Sequence, residues 1–221
     1  MRIRYTLLTD GSSDRVLLTI IDWLLAQLPF SVEFQSQWAD PAAVNNRGNG
    51  LESRIRESHS KYPCDLLVVH RDSESIPHDT RTEEVERALN SAGLAHQVYA
   101  IAVPVRMTEA WFLFDESAIR KAAGNPNGRV SLSLPPLHQC ESLRDPKQHL
   151  YDTLRLASGL SARRAKKFRP SAAVYRLAQE IEDFRPLRTL AAFAQFEQSL
   201  SRALDQLRGR ESVSGGVERR R

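Results

Sequence analysis

The stretch that decides the fold is Asp65–Glu74, DLLVVHRDSE, a short apolar run followed at once by charge. A compact run of this kind, DLLVVH over Asp65–His70, bounded by polar residues, marks a central strand buried on both faces. Upstream, Arg2–Leu8 (RIRYTLL) is rich in β-formers and ends at the turn signal Asp10-Gly11. Residues 13–28 place Val16, Leu17, Ile20, Ile21, Leu24, Leu25 and Leu28 at helical spacing, with Ser12 or Ser13 as cap and Pro29 as stop. Ser31–Gln37 alternates as a second strand, Pro41–Gly50 reads as a loop, and Leu51–His59 as a short helix. Downstream, Thr80–Ala92 is a charged helix ended by Gly93, and Gln97–Val103 is a fourth strand. This β-α-β-α-β-α-β order predicts an α/β fold with a mostly parallel sheet flanked by helices.

The second half of the chain reads differently. Thr108–Ala123 is helical through Trp111, Phe112, Phe114 and Ile119, and Gly124–Pro136 is a loop dense in turn residues. Lys147–Ala157, Ser171–Ile181 and Leu190–Leu207 are three further helical patterns, and no strong strand remains. The expected organisation is an α/β core over 1–115, a C-terminal helical extension over 116–207 packed on it, and a disordered basic tail over 208–221.

Composition narrows the class. The 221 residues are 41% hydrophobic and 26% charged, a globular profile, and 31 Lys+Arg against 27 Asp+Glu give a formal charge of +4. No run approaches the ~20 apolar residues of a membrane helix. The opening MRIRYTLLTDG has too short an apolar stretch for a signal peptide, so a cytoplasmic location is expected. Two distant cysteines, Cys64 and Cys140, form neither a disulfide framework nor a CxxC zinc site. The chain has no P-loop, no GxGxxG after a strand, no GxSxG and no HExxH, which sets aside the corresponding ATPases, dinucleotide enzymes, serine hydrolases and zincins.

Ligands of open parallel sheets collect at the carboxyl ends of the strands, and three acidic clusters fall there. They are Asp10-Gly11 with Asp14, His70-Arg71-Asp72-Ser73-Glu74, and the segment Pro104–Glu109. In an extended chain Asp72 and Glu74 point to the same side, and Asp10 from a neighbouring strand could join them. Converging carboxylates repel one another, and a hard divalent cation, Mg2+ (or Mn2+), holds them together. Such an ion acidifies water and stabilises a phosphoryl transition state. Each element also has a plainer reading: Asp10-Gly11 as a turn, Asp14 as a helix-dipole partner, Glu109 as a first-turn acid, His70 as hydrogen-bonded structure, Trp111 as core, and Asn125–Gly128 as a turn.

Basic residues concentrate between Arg144 and Arg169, eight of them (with Lys147 and Arg155) against Asp145 and Asp152. Arg163, Arg164, Lys166, Lys167 and Arg169 are the candidate contacts to a nucleic-acid backbone. The alternatives are a solvated helical face or a protein contact.

An acid and a glycine after the first strand, then paired acids after a later apolar strand, resemble the Toprim domain of topoisomerases, primases and OLD-type nucleases. LLTDGSSD (7–14), LLVVHRDSE (66–74), VPVRMTEAWFLFD (103–115), AAGNPNGR (122–129), DPKQHL (145–150) and IEDFRPLRTLAAFAQFEQSL (181–200) look like an uncharacterised bacterial family of small Toprim-like proteins. Members are often encoded beside an ABC-type ATPase and linked to phage defence, and the similarity spans about residues 1–207. The resemblance implies a Mg2+-dependent nuclease acting on DNA or RNA. Asp10 stands where the family usually has Glu, and Asp72-Ser73-Glu74 where it has Asp-x-Asp, which keeps charge and changes reach. Asp10, Asp72 and Glu74 would be catalytic metal ligands and Glu109 an additional acid ligand. An ABC-type ATPase is the implied partner, and a homo-oligomer is left open. The alternative is a non-catalytic subunit that binds nucleic acid or an ATPase through a degenerate Toprim fold. A third, weaker option is a small-molecule phosphohydrolase on a flavodoxin-like sheet, for which no nucleophile motif is found.

Overall fold

A computed structural model of the chain describes residues 1–44 and 50–218. Among the described residues four strands form one all-parallel sheet in the order β2-β1-β3-β4. They are β1 (Arg2–Leu8), β2 (Glu33–Ala39), β3 (Leu66–His70) and β4 (Val98–Ala102). Every residue of β3 is buried, as its unbroken apolar run requires. Leu8 pairs with both Ala39 and Val69, and Val69 with Ile101. That register sets the segments after β1, β3 and β4 side by side at one end of the sheet.

Three helices make the crossovers: α1 (Leu17–Ala26), α2 (Leu51–Lys61) and α3 (His78–Ser91). Ile20, Ile21 and Leu24 of α1 join Tyr5, Leu7 and Val68 on one face. Ile55 of α2 and Val85 and Leu89 of α3 join Leu8, Leu67 and Val69 on the other. The chain therefore leaves β1 in one direction and returns to β3 in the other. The crevice between the carboxyl ends of β1 and β3 is a topological switch point, where open α/β sheets bind ligands.

The second half contributes α4 (Glu116–Ala122), α5 (Leu137–Cys140), α6 (Pro146–Ala157), α7 (Ala162–Ala165), α8 (Pro170–Glu180) and α9 (Ala191–Glu218). Leu150, Leu177, Phe193 and Leu200 from these helices lie in the same apolar core as Tyr5 and Val98. Trp111 is core, stacked on Phe196 at 6.2 Å and edge-on to Phe193 at 5.3 Å. α9 lies along β4, and Ser199 Oγ accepts the Ile101 N–H at 3.1 Å, closing part of an edge that would otherwise expose its backbone.

Several boundaries differ from the sequence reading. The expected helix over 13–28 opens as a 3-10 turn, Ser12–Val16, before α1 begins. The expected helix over 108–123 is a 3-10 turn, Thr108–Phe112, and then α4, because Asp115 caps a new helix by accepting the Ala118 N–H at 2.9 Å. α9 continues past Leu207 to Glu218, where an irregular tail was expected. Its anchors there are Arg208, whose guanidinium lies 4.3 Å from the centre of the Phe30 ring, and Arg210, which donates to the His96 carbonyl at 2.8 Å. Residues 45–49 of the expected loop and Arg219–Arg221 of the expected tail lie outside the described residues. The Asn125–Gly128 motif is a turn: Gly128 N–H donates to the Asn125 carbonyl at 3.0 Å. Asn125 Nδ2 donates to the Ala157 carbonyl at 2.9 Å, joining the end of α4 to the end of α6. Gly128 leaves room for that amide, since a Cβ there would come within 2.5 Å of Asn125 Nδ2.

Candidate metal centre at the switch point

β1 ends at Leu8, and the 3-10 turn after it carries Asp14 inward, to 4% exposure. Asp14 Oδ2 accepts the Gly11 N–H at 3.0 Å, which is the helix-start role expected of it. The same oxygen also lies 3.9 Å from Nδ1 of His70. His70 is the last residue of β3 and is 1% exposed. Its Nε2 is 3.1 Å from Asp72 Oδ1 and 3.0 Å from Thr108 Oγ1, while its Nδ1 has no hydrogen-bond partner among the described residues. Thr108 N–H also donates to Asp72 Oδ1, at 3.1 Å. Asp14, His70 and Asp72 each present one ligand atom, all within 4.8 Å of one another.

The electrostatics follow from burial. Burial pushes the Asp14 carboxyl above its usual range; the Asp72 charge adds to this, and His70, the Gly11 N–H and Lys147 oppose it. Burial disfavours a charged His70, but the Asp72 hydrogen bond and the charges of Asp14, Asp72 and Asp10 outweigh it, so the imidazole pKa is raised. Glu109, also 4% exposed, is raised by burial against the pull of Lys147. Lys147 arrives from α6 with Nζ 3.0 Å from Glu109 Oε1 and 3.3 Å from Ser13 Oγ. Burial lowers its pKa, the Glu109 and Asp14 charges more than compensate, and it is held as a cation.

The other expected site residues are placed differently. Asp10 borders the cluster, accepting the Asp72 N–H on Oδ2 at 3.3 Å, but its Oδ1 is clamped by Arg54 at 3.2 Å and Arg71 at 3.1 Å. Arg54 is itself anchored on the Thr9 carbonyl. Glu74 does not join Asp72. It has a left-handed backbone (φ 52°), so the alternation of an extended chain stops before it. Its side chain is 67% exposed and lies 3.8 Å from Arg81. Glu109 lies beside the cluster, paired with Lys147. Arg163, Arg164, Lys166, Lys167 and Arg169 are exposed and, among the described residues, form no ion pair. They lead into α8, which Tyr175 ties to the turn carrying Asp14 by donating to the Ser12 carbonyl at 2.6 Å.

Sequence reasoning placed Asp14 and His70 in the charged clusters at the strand ends, with structural roles as the plainer reading, and did not count them among the metal ligands; Lys147 entered only as one of a basic run. The available signal was His70 itself, a polar residue closing a fully buried strand. The residues present fit a divalent cation, because the buried Nδ1 of His70, unpaired among the described residues, faces the Asp14 carboxylate, and the Asp72 carboxylate holds the other ring nitrogen close by. The donor set is mixed, nitrogen with oxygen, where an all-oxygen set was expected.

No family model, curated protein or solved structure matches the chain, so this geometry is what speaks for its chemistry. Among the described residues no helix is long and apolar enough to cross a membrane.

Proposed function

We propose that the chain is a divalent-metal-dependent protein that cleaves phosphodiester bonds in DNA or RNA. The observation that carries this reading is the gathering of Asp14, His70 and Asp72 within 4.8 Å at the switch-point crevice. When bound, a divalent ion supplies Lewis-acid stabilisation of a phosphoryl oxygen and an acidified water. The chain's own groups do the rest. Thr108 fixes Asp72 through its N–H and hydroxyl, at 3.1 and 3.5 Å. Lys147, 38% exposed and cationic, offers a fixed positive charge to a phosphoryl oxygen at the mouth. The exposed basic segment Arg163–Arg169 holds the polyanion by phosphate contacts, and binding through it weakens steeply with salt. The Toprim resemblance, with a role in phage defence beside an ABC-type ATPase, belongs to this proposal. The test is incubation of wild type and Asp72→Ala with supercoiled plasmid and Mg2+ or Mn2+, with circular dichroism as a check on folding. Nicking by wild type alone supports the reading, and ion-dependent nicking by a folded Asp72→Ala sinks it.

One observation favours a second reading. Of the acids that the resemblance would make catalytic, Asp10 is neutralised by two arginines and Glu74 lies outside the cluster. That arrangement suits a non-catalytic subunit that binds nucleic acid or an ATPase partner. A wild-type protein that binds oligonucleotides yet cuts none with any divalent ion would favour it.

A further inference from the structure

We infer that the switch-point site takes a first-row transition-metal dication of the Mn2+–Zn2+ series in preference to Mg2+, with His70 Nδ1 and Asp14 as ligands and Asp72 as the group that orients the imidazole. The inference rests on the metal-site part of the proposed function and is independent of its nucleic-acid part.

Among the described residues the fold leaves Nδ1 of His70 unsatisfied. Buried polar atoms are almost always hydrogen-bonded, and His70 is 1% exposed. Its Nε2 is satisfied by Asp72 and Thr108, and its Nδ1, among the described residues, by nothing. The nearest charged group is Asp14 Oδ2 at 3.9 Å. That gap is too long for a hydrogen bond. It is short enough for one cation to bond both atoms at roughly 2.0–2.2 Å, the pair closing by about half an ångström to reach tetrahedral separation.

The tautomer agrees. A proton on Nε2 is shared with Asp72 Oδ1 at 3.1 Å, which leaves the lone pair on Nδ1, facing Asp14. A carboxylate holding the far nitrogen of an imidazole is the usual support for a metal-ligating histidine. Ligand type then sets the selectivity. Mg2+ is a hard ion that dehydrates reluctantly and takes oxygen. An imidazole nitrogen suits the later first-row dications, whose affinity rises from Mn2+ toward the end of the series.

The experiment uses the full chain stripped with a chelator. Mn2+, Zn2+ and Mg2+ are titrated separately by calorimetry, and the Mn2+-loaded protein is examined by pulsed electron paramagnetic resonance for coupling to a directly bound nitrogen. The expected result is Mn2+ and Zn2+ binding at least about tenfold tighter than Mg2+, with nitrogen coupling present. In His70→Gln the coupling disappears, and in Asp72→Asn, which still accepts from Nε2, Mn2+ affinity falls by roughly 10–100-fold. Equal affinity for Mg2+, absence of nitrogen coupling in wild type, or no metal binding at all overturns the inference. The wild-type spectrum needs no variant to fold. Nitrogen coupling without any nicking upholds this inference and removes the nuclease; Mg2+-driven nicking without coupling does the reverse.

Discussion

Two sets of charged side chains share one end of the sheet and are neutralised in different ways. In the first, Arg54, Asp10, Arg71, Glu84, Arg81 and Glu74 form a chain of ion pairs at 3.2, 3.1, 3.2, 2.6 and 3.8 Å. Three carboxylates meet three guanidiniums, and the protein supplies its own counter-charge. In the second, Asp14, Asp72 and Glu109 meet one permanent cation, Lys147, and a titratable His70. This set is short of positive charge where water is scarce, since Asp14 and Glu109 are each 4% exposed. The sets touch, through the Asp72 N–H and Asp10 Oδ2. The lesson is that acids at a strand end are candidates for binding an ion only where the fold leaves them uncompensated.

The largest effect expected from this contrast lies in the balanced set. Asp10→Ala leaves Arg54, with a side chain 8% exposed, without a carboxylate and is expected to destabilise the protein by about 3 kcal/mol in urea unfolding. An Asp10→Ala protein as stable as wild type would break the comparison. In the under-compensated set the sign reverses. Asp14→Asn removes a buried charge and keeps an acceptor for the Gly11 N–H, so the chelated protein should gain about 1 kcal/mol while losing its ion. The calorimetric titration and the urea midpoint are read on the same sample.

A third expectation concerns pH. Burial holds the Glu109 carboxyl above its ordinary value of 4.5, so the folded protein keeps this proton longer than the unfolded chain does. The stability from this group is complete below about pH 4.5 and is lost as pH rises through the folded value. Glu109→Gln should flatten that part of the urea-midpoint profile, and an unchanged slope would show that Lys147 fully compensates the acid. The smallest effect sharpens the boundary between the sets. Arg106 has φ 61°, and its carbonyl accepts the Glu74 N–H at 3.1 Å in the turn that draws Glu74 away from Asp72. Arg106→Gly relieves the left-handed strain and should raise stability by roughly 0.5–1 kcal/mol in thermal unfolding.

β3 was legible because a strand buried on both faces announces itself as an apolar run, and β1 through its β-formers; both fall within a residue of their expected ends, whereas β2, read by alternation over 31–37, lies at Glu33–Ala39. The end of the sheet that carries the candidate metal cluster could be named from the charge that follows β1, β3 and β4. The membership of the site was not. Glu74 left it through one backbone torsion that alternation does not encode. Asp10 was drawn off by Arg54, 44 residues away, a partner visible only once β1 and α2 are placed. His70 was read as hydrogen-bonded structure, which describes Nε2 and misses Nδ1. The short helices α5 and α7 have four residues each, too few to show a period.

The bond from Ile101 N–H to Ser199 Oγ has a consequence for how the molecule is made. It joins residues 98 apart. At 5–20 residues per second, the ribosome needs roughly 5–20 s to add the intervening chain. Through that interval all four strands exist and the outer edge of β4 has no helix beside it. The nascent protein therefore carries an open sheet edge, available to other nascent chains or to a chaperone, until the helix bearing Ser199 has been made.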